Sequence, residues 1–292
     1  MNSLVSVIIP TFNRAQSLKK AIESVLCQSY KNWELIIVDN SSTDNTQSII
    51  KECKNEKVKV INVNNKGIIA YSRNIGINNA EGRYIAFLDS DDWWESQKLE
   101  KAINSLINNN VDIVYHNCNL LSSSSKSRTN CRLLKANILN DLAVNGNTLV
   151  TSSVVVSKES LQDVGGFDES VKFLGWEDYH LWLKLAKNSS KFFLISGVLA
   201  SCWEGEDNFD NPKRILLNLI EIEKYFVKEL SESIQLSRVW WIPYTSGKAY
   251  LEIGNSVDAK KSLNMVFFNG APYIYKLKSL YYRFFIAIFI RQ

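Results

Sequence analysis

Histidine and cysteine are scarce in this sequence, and their spacing does not suit a metal site. The 292 residues contain two histidines, His116 and His180, and five cysteines without a CxxC pair. A structural zinc site needs four such ligands at close spacing. The sequence therefore argues against a zinc protein, and the odd number of cysteines favours a reducing, cytoplasmic setting.

Long apolar runs are also missing. No stretch of about 18 consecutive apolar residues occurs, which is the length that a membrane-spanning helix needs. The first four residues carry no charged segment ahead of an apolar core, so we expect no signal peptide. With 46% hydrophobic and 22% charged residues, the composition is that of a globular protein and excludes a disordered or collagen-like chain.

Charge is distributed unevenly along the chain, whose formal net charge is +4. Residues 259–292 contain six basic side chains and no acidic one, which leaves 28 basic and 30 acidic groups in residues 1–258. A basic tail predicts an anionic partner, either a membrane surface or a nucleic acid.

The first half of the sequence alternates between strand and helix patterns. Strand-like apolar runs occur at 5–10, 35–38, 58–63 and 84–88. Helical spacing occurs at 15–28, in a segment that follows the polar turn at 39–44 and ends at about residue 53, and at 69–80. This alternation predicts an α/β fold with a mostly parallel central sheet and crossover helices.

The second half is less regular. Its patterns predict a loop at 122–130, a strand at 150–157, and helices at 176–187, 215–229, 238–253 and 258–268. We therefore expect an α/β domain to about residue 210, followed by a helical extension over residues 211–292.

Polar clusters follow three of the predicted strands. They are Thr11–Arg14, Asp39–Ser41 and Asp89–Asp92. In open α/β sheets, ligands bind at the carboxyl ends of the strands. The sequence therefore predicts one site assembled from three loops.

The acidic cluster Asp89–Asp92 directly follows an apolar, strand-like run. Several carboxylates on one turn repel each other unless a cation lies between them. Oxygen ligands favour Mg²⁺ or Mn²⁺, with a diphosphate completing the coordination shell. The alternative is a solvated turn that caps a helix beginning near Glu95.

A series of motifs, in order, resembles the family 2 glycosyltransferases of the GT-A fold. The matching segments are Val5–Arg14, Val38–Asp44, Gly67 with Ser72–Gly76, Phe87–Asp92, Gly165–Asp168 and Trp176–Asp178. The resemblance covers roughly two thirds of the chain. It implies an inverting, metal-dependent transfer of a sugar from a UDP-sugar to a glycan, with a nucleotide-sugar half at 1–95 and an acceptor half at 96–210.

The resemblance also assigns residues to the nucleotide. Phe12 would stack on uracil, Asp39 would accept the base N–H, and Arg73 would contact the nucleotide or diphosphate. The alternatives are a core aromatic for Phe12 and a surface arginine capping a helix for Arg73. The full expected set is Pro10, Thr11, Phe12, Asn13, Arg14, Asp39, Asn40, Gly67, Arg73, Asn74, Asp89 and Ser90.

By the same resemblance, Asp91 should be the direct ligand of Mn²⁺ or Mg²⁺. Asp89 should hold the ribose and metal side of the nucleotide. Asp92 should orient its neighbours or contact the donor sugar. No histidine occurs in residues 201–207, where relatives often have one near the metal, so Glu204 or a neighbour replaces it or the contact is absent. Asn40 stands where many relatives have a second acid.

Catalysis is expected from the segment Trp176–Asp178. The resemblance implies that Asp178 is the base that deprotonates the acceptor hydroxyl, while Glu177 binds the acceptor or orients the base. Acidic residues at a helix N-terminus are also favourable for the helix dipole alone. Trp176 would stack on an acceptor sugar or pack in the core, and we expect His180 on the helix surface.

The tail carries an apolar stripe at helical spacing. Its members are Leu277, Leu280, Tyr281, Phe284, Phe285 and Ile288, and basic residues lie off the stripe. The pattern is typical of an interfacial membrane helix, and the alternative is a helix docked on the catalytic domain. A nucleic acid partner is disfavoured because the aromatic residues accompany an apolar stripe.

The family resemblance, together with the basic amphipathic tail, implies surface-polysaccharide synthesis on the cytoplasmic face of a bacterial membrane, with a lipid-diphosphate-linked acceptor. The first alternative is an inactive nucleotide-sugar-binding scaffold of the same fold. A nucleotidyltransferase is disfavoured because Ile9–Arg14 is not a Gly-rich basic loop. A processive polymerase is disfavoured because no membrane spans are expected.

Overall fold

A computed structural model of the chain describes residues 3–53, 55–203, 211–224 and 239–289. The chain divides into two compact units, one formed by residues 1–134 and 148–206 and the other by residues 135–147 and 207–292. The sequence pattern predicted a single boundary near residue 210. It gave no signal that residues 135–147 group with the later helices.

The first unit contains the strands and most of the crossover helices. Its strands are β1 (Val5–Thr11), β2 (Trp33–Asp39), β3 (Val58–Asn62), β4 (Tyr84–Phe87), β5 (Trp93–Trp94), β6 (Ile113–Leu121), β7 (Lys126–Arg128), β8 (Val155–Ser157) and β9 (Phe192–Trp203). Its helices are α1 (Ala15–Leu26), α2 (Thr46–Glu52), α3 (Ile69–Asn79), α4 (Lys98–Asn108), α6 (Lys158–Asp163) and α7 (Glu177–Lys187), with 3₁₀ turns at Thr151–Ser153 and Val171–Phe173.

One mixed sheet forms the centre of this unit. The strand order is β3-β2-β1-β4-β8-β6-β9-β5, and β7 pairs with β6. Strands β3, β2, β1 and β4 are parallel neighbours, as are β6 and β9, whereas β5, β7 and β8 run antiparallel to their partners. The expected α/β fold with a mostly parallel central sheet is confirmed.

Apolar strand residues explain why the sheet lies at the core. Every residue of β1 and β2 is buried, as expected for parallel strands covered by helices on both faces. On one face Leu18, Ile22 and Val25 of α1 join Val7 and Ile9 in a single apolar cluster. These strands therefore hold the loops at their carboxyl ends in fixed positions.

Several sequence expectations need correction. Residues 126–128 of the expected loop form β7, and residues 151–153 of the expected strand form a 3₁₀ turn ahead of β8. The helix expected near Glu95 begins at Lys98, because Trp93 and Trp94 pair with β9. Strands β6 and β9, helix α6 and a further helix at residues 138–145 had not been predicted. Buried polar residues such as His116 interrupt the apolar pattern of β6.

The second unit is helical. It contains α5 (Ile138–Asn145), α8 (Pro212–Ile222), α9 (Trp241–Glu252), α10 (Ser256–Phe268) and α11 (Tyr273–Phe289). The Trp241 indole N–H donates to the Ala143 carbonyl at 2.8 Å, which ties α9 to α5. The helices expected at 238–253 and 258–268 are present. Helix α8 ends at Ile222, and residues 225–229 of the expected helix lie outside the described residues.

Helix α11 packs on α10 through a narrow face. Ser279 is fully buried and donates to the Leu263 carbonyl at 2.6 Å, and Ile286 joins Ala259 and Leu263 in a small apolar cluster. In the part of the chain that the structure describes, no helix is long and apolar enough to cross a bilayer.

Candidate functional site

The three polar clusters meet at one edge of the sheet, because β2, β1 and β4 are neighbours and run in the same direction. The first two loops are joined by Asn13, whose backbone N–H donates to Ser42 Oγ at 2.9 Å and whose Oδ1 accepts from Thr43 N–H at 2.8 Å. The first and third loops are joined by an ion pair of 3.0 Å between Arg14 Nη1 and Asp91 Oδ2.

The loop after β1 presents an aromatic side chain to solvent. Pro10 and Thr11 are buried at the end of the strand, whereas Phe12 is 51% exposed. Phe12 is therefore not a core aromatic. An exposed ring beside polar loops suits stacking on a flat ligand.

Asp39 and Asn40 anchor neighbouring loops. The buried Asp39 carboxylate accepts hydrogen bonds from Ser42 N–H and from the Gln47 side-chain amide. Asn40 Oδ1 accepts from Asn65 N–H at 2.7 Å, and Asn65 Oδ1 in turn accepts from Gly67 N–H at 2.8 Å. The expected role of Asp39 toward a base stays a prediction.

Arg73 is the central charge of the site. Only 3% of it is exposed, and its guanidinium donates to Asp89 Oδ1 and to Glu177 Oε1, each at 2.7 Å. Burial by itself would lower the pKa of Arg73, but the charges of Asp89 and Glu177 outweigh burial and hold it above its ordinary value. The surface-arginine alternative is therefore wrong, and Arg73 ties the acidic loop to the start of α7.

The acidic loop is partly buried, so the solvated-turn alternative does not hold. Asp92 is 6% exposed and accepts from Ser152 Oγ at 2.5 Å and from Trp203 N–H at 3.0 Å. Burial, together with the charges of Asp89 and Asp91, raises the pKa of Asp92 to about 7. Ser90 is also buried. The contacts of Asp92 fit its expected role of orienting neighbours.

Two carboxylates of the acidic loop could bind a divalent cation. Among the described residues, no group of three or more His, Cys, Asp or Glu side chains is arranged to hold a metal. Asp89 and Asp91 offer two carboxylates, the ligand type that Mg²⁺ and Mn²⁺ prefer. These residues fit such an ion only as part of a site in which a diphosphate and water supply the other ligands.

Glu177 and Asp178 open helix α7. Glu177 is held by Arg73 and accepts the Gly175 N–H at 2.7 Å, whereas Asp178 Oδ2 accepts from Thr151 Oγ1 at 3.0 Å. Burial, and after it the charge of Glu177, raises the pKa of Asp178 to about 6 against the opposing effect of Arg73. A carboxylate with a pKa near neutrality suits general base catalysis.

Asn74 and His180 make contacts within the protein. The Asn74 side chain exchanges hydrogen bonds of 2.9 Å with the backbone of Phe167 and donates to Glu169 at 2.8 Å, so its amide holds this loop. His180 is 7% exposed and stacks on Phe173 at 3.8 Å between ring centroids. The expectation of a surface histidine is wrong, because α7 is buried on that side too, and burial lowers the pKa of His180 to about 4.

Trp176 precedes α7 and is partly exposed, with its ring edge-on to Tyr179 at 6.3 Å between centroids. Glu204, the suggested substitute for a histidine, lies outside the described residues. The sequence analysis missed Thr151 and Ser152, which contact Asp178, Asp92 and Asp89. Their signal was a run of hydroxyl residues inside a segment that was predicted to be a strand.

Replacing Arg73 should destabilise the first unit. Arg73→Leu leaves Glu177 buried without its partner, and removing one member of a buried ion pair costs about 3–5 kcal/mol. Denaturant unfolding would measure the change, with Arg83→Leu as the control because Arg83 is exposed. Equal stability of the two variants would contradict the central role of Arg73.

Comparison with known proteins identifies one family. The family model described as Glycosyl transferase family 2 matches residues 6–164. The UDP-Glc:alpha-D-GlcNAc-diphosphoundecaprenol beta-1,3-glucosyltransferase WfgD of Escherichia coli is 31% identical over 201 residues, 68% of this chain and 76% of WfgD. An uncharacterized glycosyltransferase of Rickettsia felis is 30% identical over 94% of this chain, which spans only 45% of it.

Solved structures share the fold. S. aureus TarS 1-349 in complex with UDP-GlcNAc superposes with a TM-score of 0.64 at 18% identity, over 94% of this chain and 83% of TarS 1-349. The mannosyltransferase PcManGT of Pyrobaculum calidifontis, in complex with GDP-Man and Mn²⁺, has a TM-score of 0.57 at 18% identity over 99% of this chain and 88% of its own. Their arrangement is that of the GT-A glycosyltransferases, the fold that the motifs predicted.

Proposed function

The chain belongs to glycosyl transferase family 2, and from this premise we propose that it transfers a sugar from a UDP-sugar to a glycan acceptor with inversion at the anomeric carbon. One observation carries the proposal. Arg73 and the Thr151–Ser152 turn join the acidic loop to Asp178, a carboxylate whose pKa lies near 6.

The donor side rests on the loops after β1, β2 and β4. The exposed ring of Phe12 would stack on uracil, and Asp39 would accept the base N–H, which are the roles that the family resemblance implies. WfgD is named for UDP-Glc and TarS was crystallised with UDP-GlcNAc, which supports a uridine donor. Arg14 lies at the acidic loop and can neutralise phosphate charge there.

We assign the metal to Asp91 and Asp89. Mn²⁺ or Mg²⁺ bound with the donor would stabilise negative charge on the diphosphate leaving group. Three carboxylates lie on this turn, and after burial the charges of Asp89 and Asp91 contribute to the raised pKa of Asp92. A cation at this loop would relieve that repulsion. PcManGT, which shares the fold, was solved with Mn²⁺, and this supports a divalent cation as the cofactor.

Asp178 is the proposed base. The carboxylate is ionised above about pH 6 and can take the proton of the acceptor hydroxyl as its oxygen attacks the anomeric carbon. The departing UDP needs no proton. Glu177 is fixed by Arg73 and Gly175 N–H, so we give it the role of orienting the base.

We also propose a lipid-linked acceptor at the inner face of the cell membrane. The name of WfgD specifies a diphosphoundecaprenol acceptor. The predicted stripe of α11 supports membrane contact, since Leu277, Leu280 and Tyr281 are 45%, 44% and 67% exposed. Phe284 and Phe285 are exposed too, whereas the side chain of Ile288 lies outside the described residues. Lys276 and Lys278 on the same helix would attract anionic lipid headgroups.

Nucleotide binding tests the donor assignment. Calorimetry with UDP, GDP and dTDP should show binding of UDP alone in Mn²⁺, weakened at least about tenfold by EDTA or by Asp91→Ala. Phe12→Ala should cost about tenfold through lost stacking. Asp163→Ala, on the exposed face of α6, is the control. Binding of none of the nucleotides by folded protein would refute the donor assignment.

Transfer should depend on the ionised form of Asp178. The active form is the carboxylate, so kcat/KM should fall tenfold per pH unit below about pH 6. Asp178→Asn should lower kcat by roughly 10²–10⁴-fold while UDP still binds, and Asp163→Asn should behave as wild type. UDP binding without turnover on any UDP-sugar and lipid-linked acceptor would favour the scaffold alternative.

Vesicle flotation tests the membrane contact. The chain should bind phosphatidylcholine vesicles that contain phosphatidylglycerol, and less so at high salt, because exposed basic and apolar groups act together. Combining Leu280→Ser with Phe284→Ser should reduce the bound fraction at least about tenfold. Leu217→Ser removes a leucine on α8 that is 63% exposed and should leave the bound fraction unchanged. Equal binding by all three proteins would count against this surface.

A further inference from the structure

Three consecutive hydroxyl residues form the 3₁₀ turn between α5 and β8, and each is buried. Their side chains have different partners. Thr151 Oγ1 donates to Asp178 Oδ2 at 3.0 Å, Ser152 Oγ donates to Asp92 Oδ2 at 2.5 Å, and Ser153 Oγ donates to the Val150 carbonyl at 2.7 Å. Two adjacent hydroxyls therefore hold the expected base and the acidic loop.

The turn is itself fixed in place. The Trp94 indole N–H donates to the Ser152 carbonyl at 2.8 Å, and Asp89 N–H donates to Ser152 Oγ at 3.0 Å. Val154 N–H closes the turn on the Thr151 carbonyl at 3.0 Å. A donor held by such contacts loses little entropy on forming its hydrogen bond, so it can orient a partner effectively.

We propose that Thr151 is a positioning residue for the reaction, holding the carboxylate of Asp178 at a set distance from the acidic loop that Ser152 holds. The inference rests on the proposed function, because it assumes that Asp178 is the base. It adds a residue that lies 27 positions away from Asp178 in the sequence and outside the family motifs.

Both oxygens of the Asp178 carboxylate are oriented. Oδ1 accepts from Tyr179 N–H at 2.6 Å and Oδ2 accepts from Thr151. Among the described residues, Thr151 is the only side chain that donates a hydrogen bond to Asp178. Without it the carboxylate could rotate away from the acceptor hydroxyl, and a misplaced base lowers the rate of proton transfer.

The same hydrogen bond favours the ionised carboxylate. The charged groups that face Asp178 are Glu177, which opposes ionisation, and Arg73, which promotes it. Removing the Thr151 donor leaves these two unchanged and withdraws one stabilising contact from the anion, so the pKa of Asp178 should rise. A charge-assisted hydrogen bond of this kind corresponds to a shift of about one pH unit.

The experiment is the pH profile of kcat/KM for wild type, Thr151→Val, Thr151→Ser and Ser153→Ala. Thr151→Val keeps the side-chain volume and removes the donor. Ser153→Ala removes a buried hydroxyl of the same turn that does not touch Asp178. UDP affinity is measured by calorimetry for every protein.

We expect the acidic limb of the kcat/KM pH profile to lie about one pH unit higher in Thr151→Val than in wild type. This shift lowers kcat/KM about fivefold at pH 6. UDP affinity should stay within about twofold, because Ser152 and the acidic loop are intact. Thr151→Ser should restore the wild-type limb, and Ser153→Ala should keep it. If Thr151→Val does not fold, Thr151→Ala removes the donor without added bulk.

An unshifted limb in a folded variant without the Thr151 hydroxyl would overturn the inference. An equal shift in Ser153→Ala, or loss of UDP affinity in Thr151→Val, would also overturn it, because the turn would then act only as structure. Failure of the proposed function would give a different result from failure of the Thr151 inference. In that case the wild type shows no transfer, or Asp178→Asn is as active as the wild type.

Discussion

The buried guanidinium of Arg73 is the interaction on which the site depends. It lies on α3 and joins Asp89, which follows β4, to Glu177, which begins α7. A buried charge is tolerated only where opposite charges and hydrogen bonds replace water. Three segments that are distant in the sequence are thus brought together by one electrostatic requirement, and the orientation of α7 toward the acidic loop follows from it.

Negative charge remains in excess after Arg73 is paired. Among the described residues, Arg14 and Arg73 form ion pairs with the carboxylates at 89, 91 and 177, whereas those at 92 and 178 accept from hydroxyl groups. Burial and this crowding raise the pKa values of both Asp92 and Asp178. The same surplus serves two purposes in the proposed reaction, since it attracts a cation at the acidic loop and makes Asp178 a stronger base.

The sequence could predict the parallel half of the sheet and its three loops because each buried strand there ends in a polar cluster. It could not assign Asn74, whose partners lie 93 to 95 positions further on, nor His180, whose burial is decided by a stacked phenylalanine. Thr151 escaped notice for the same reason. A short run of hydroxyl and β-branched residues fits a strand pattern, and the sequence does not reveal that β4, β6 and β9 pack against a turn there.

The tail shows how packing decides between two uses of one amphipathic pattern. The sequence allowed the apolar stripe of α11 either to dock on the protein or to face outward. Helix α11 is held to α10 by Ser279 and Ile286, which do not belong to the stripe. The aromatic residues of the stripe are therefore exposed. An exposed stripe of this size is costly in water unless another phase covers it. In the proposed reaction the UDP-sugar would diffuse in water, whereas a lipid-linked acceptor would stay in the bilayer. An enzyme that acts on both would benefit from a surface that holds it at the boundary between water and bilayer.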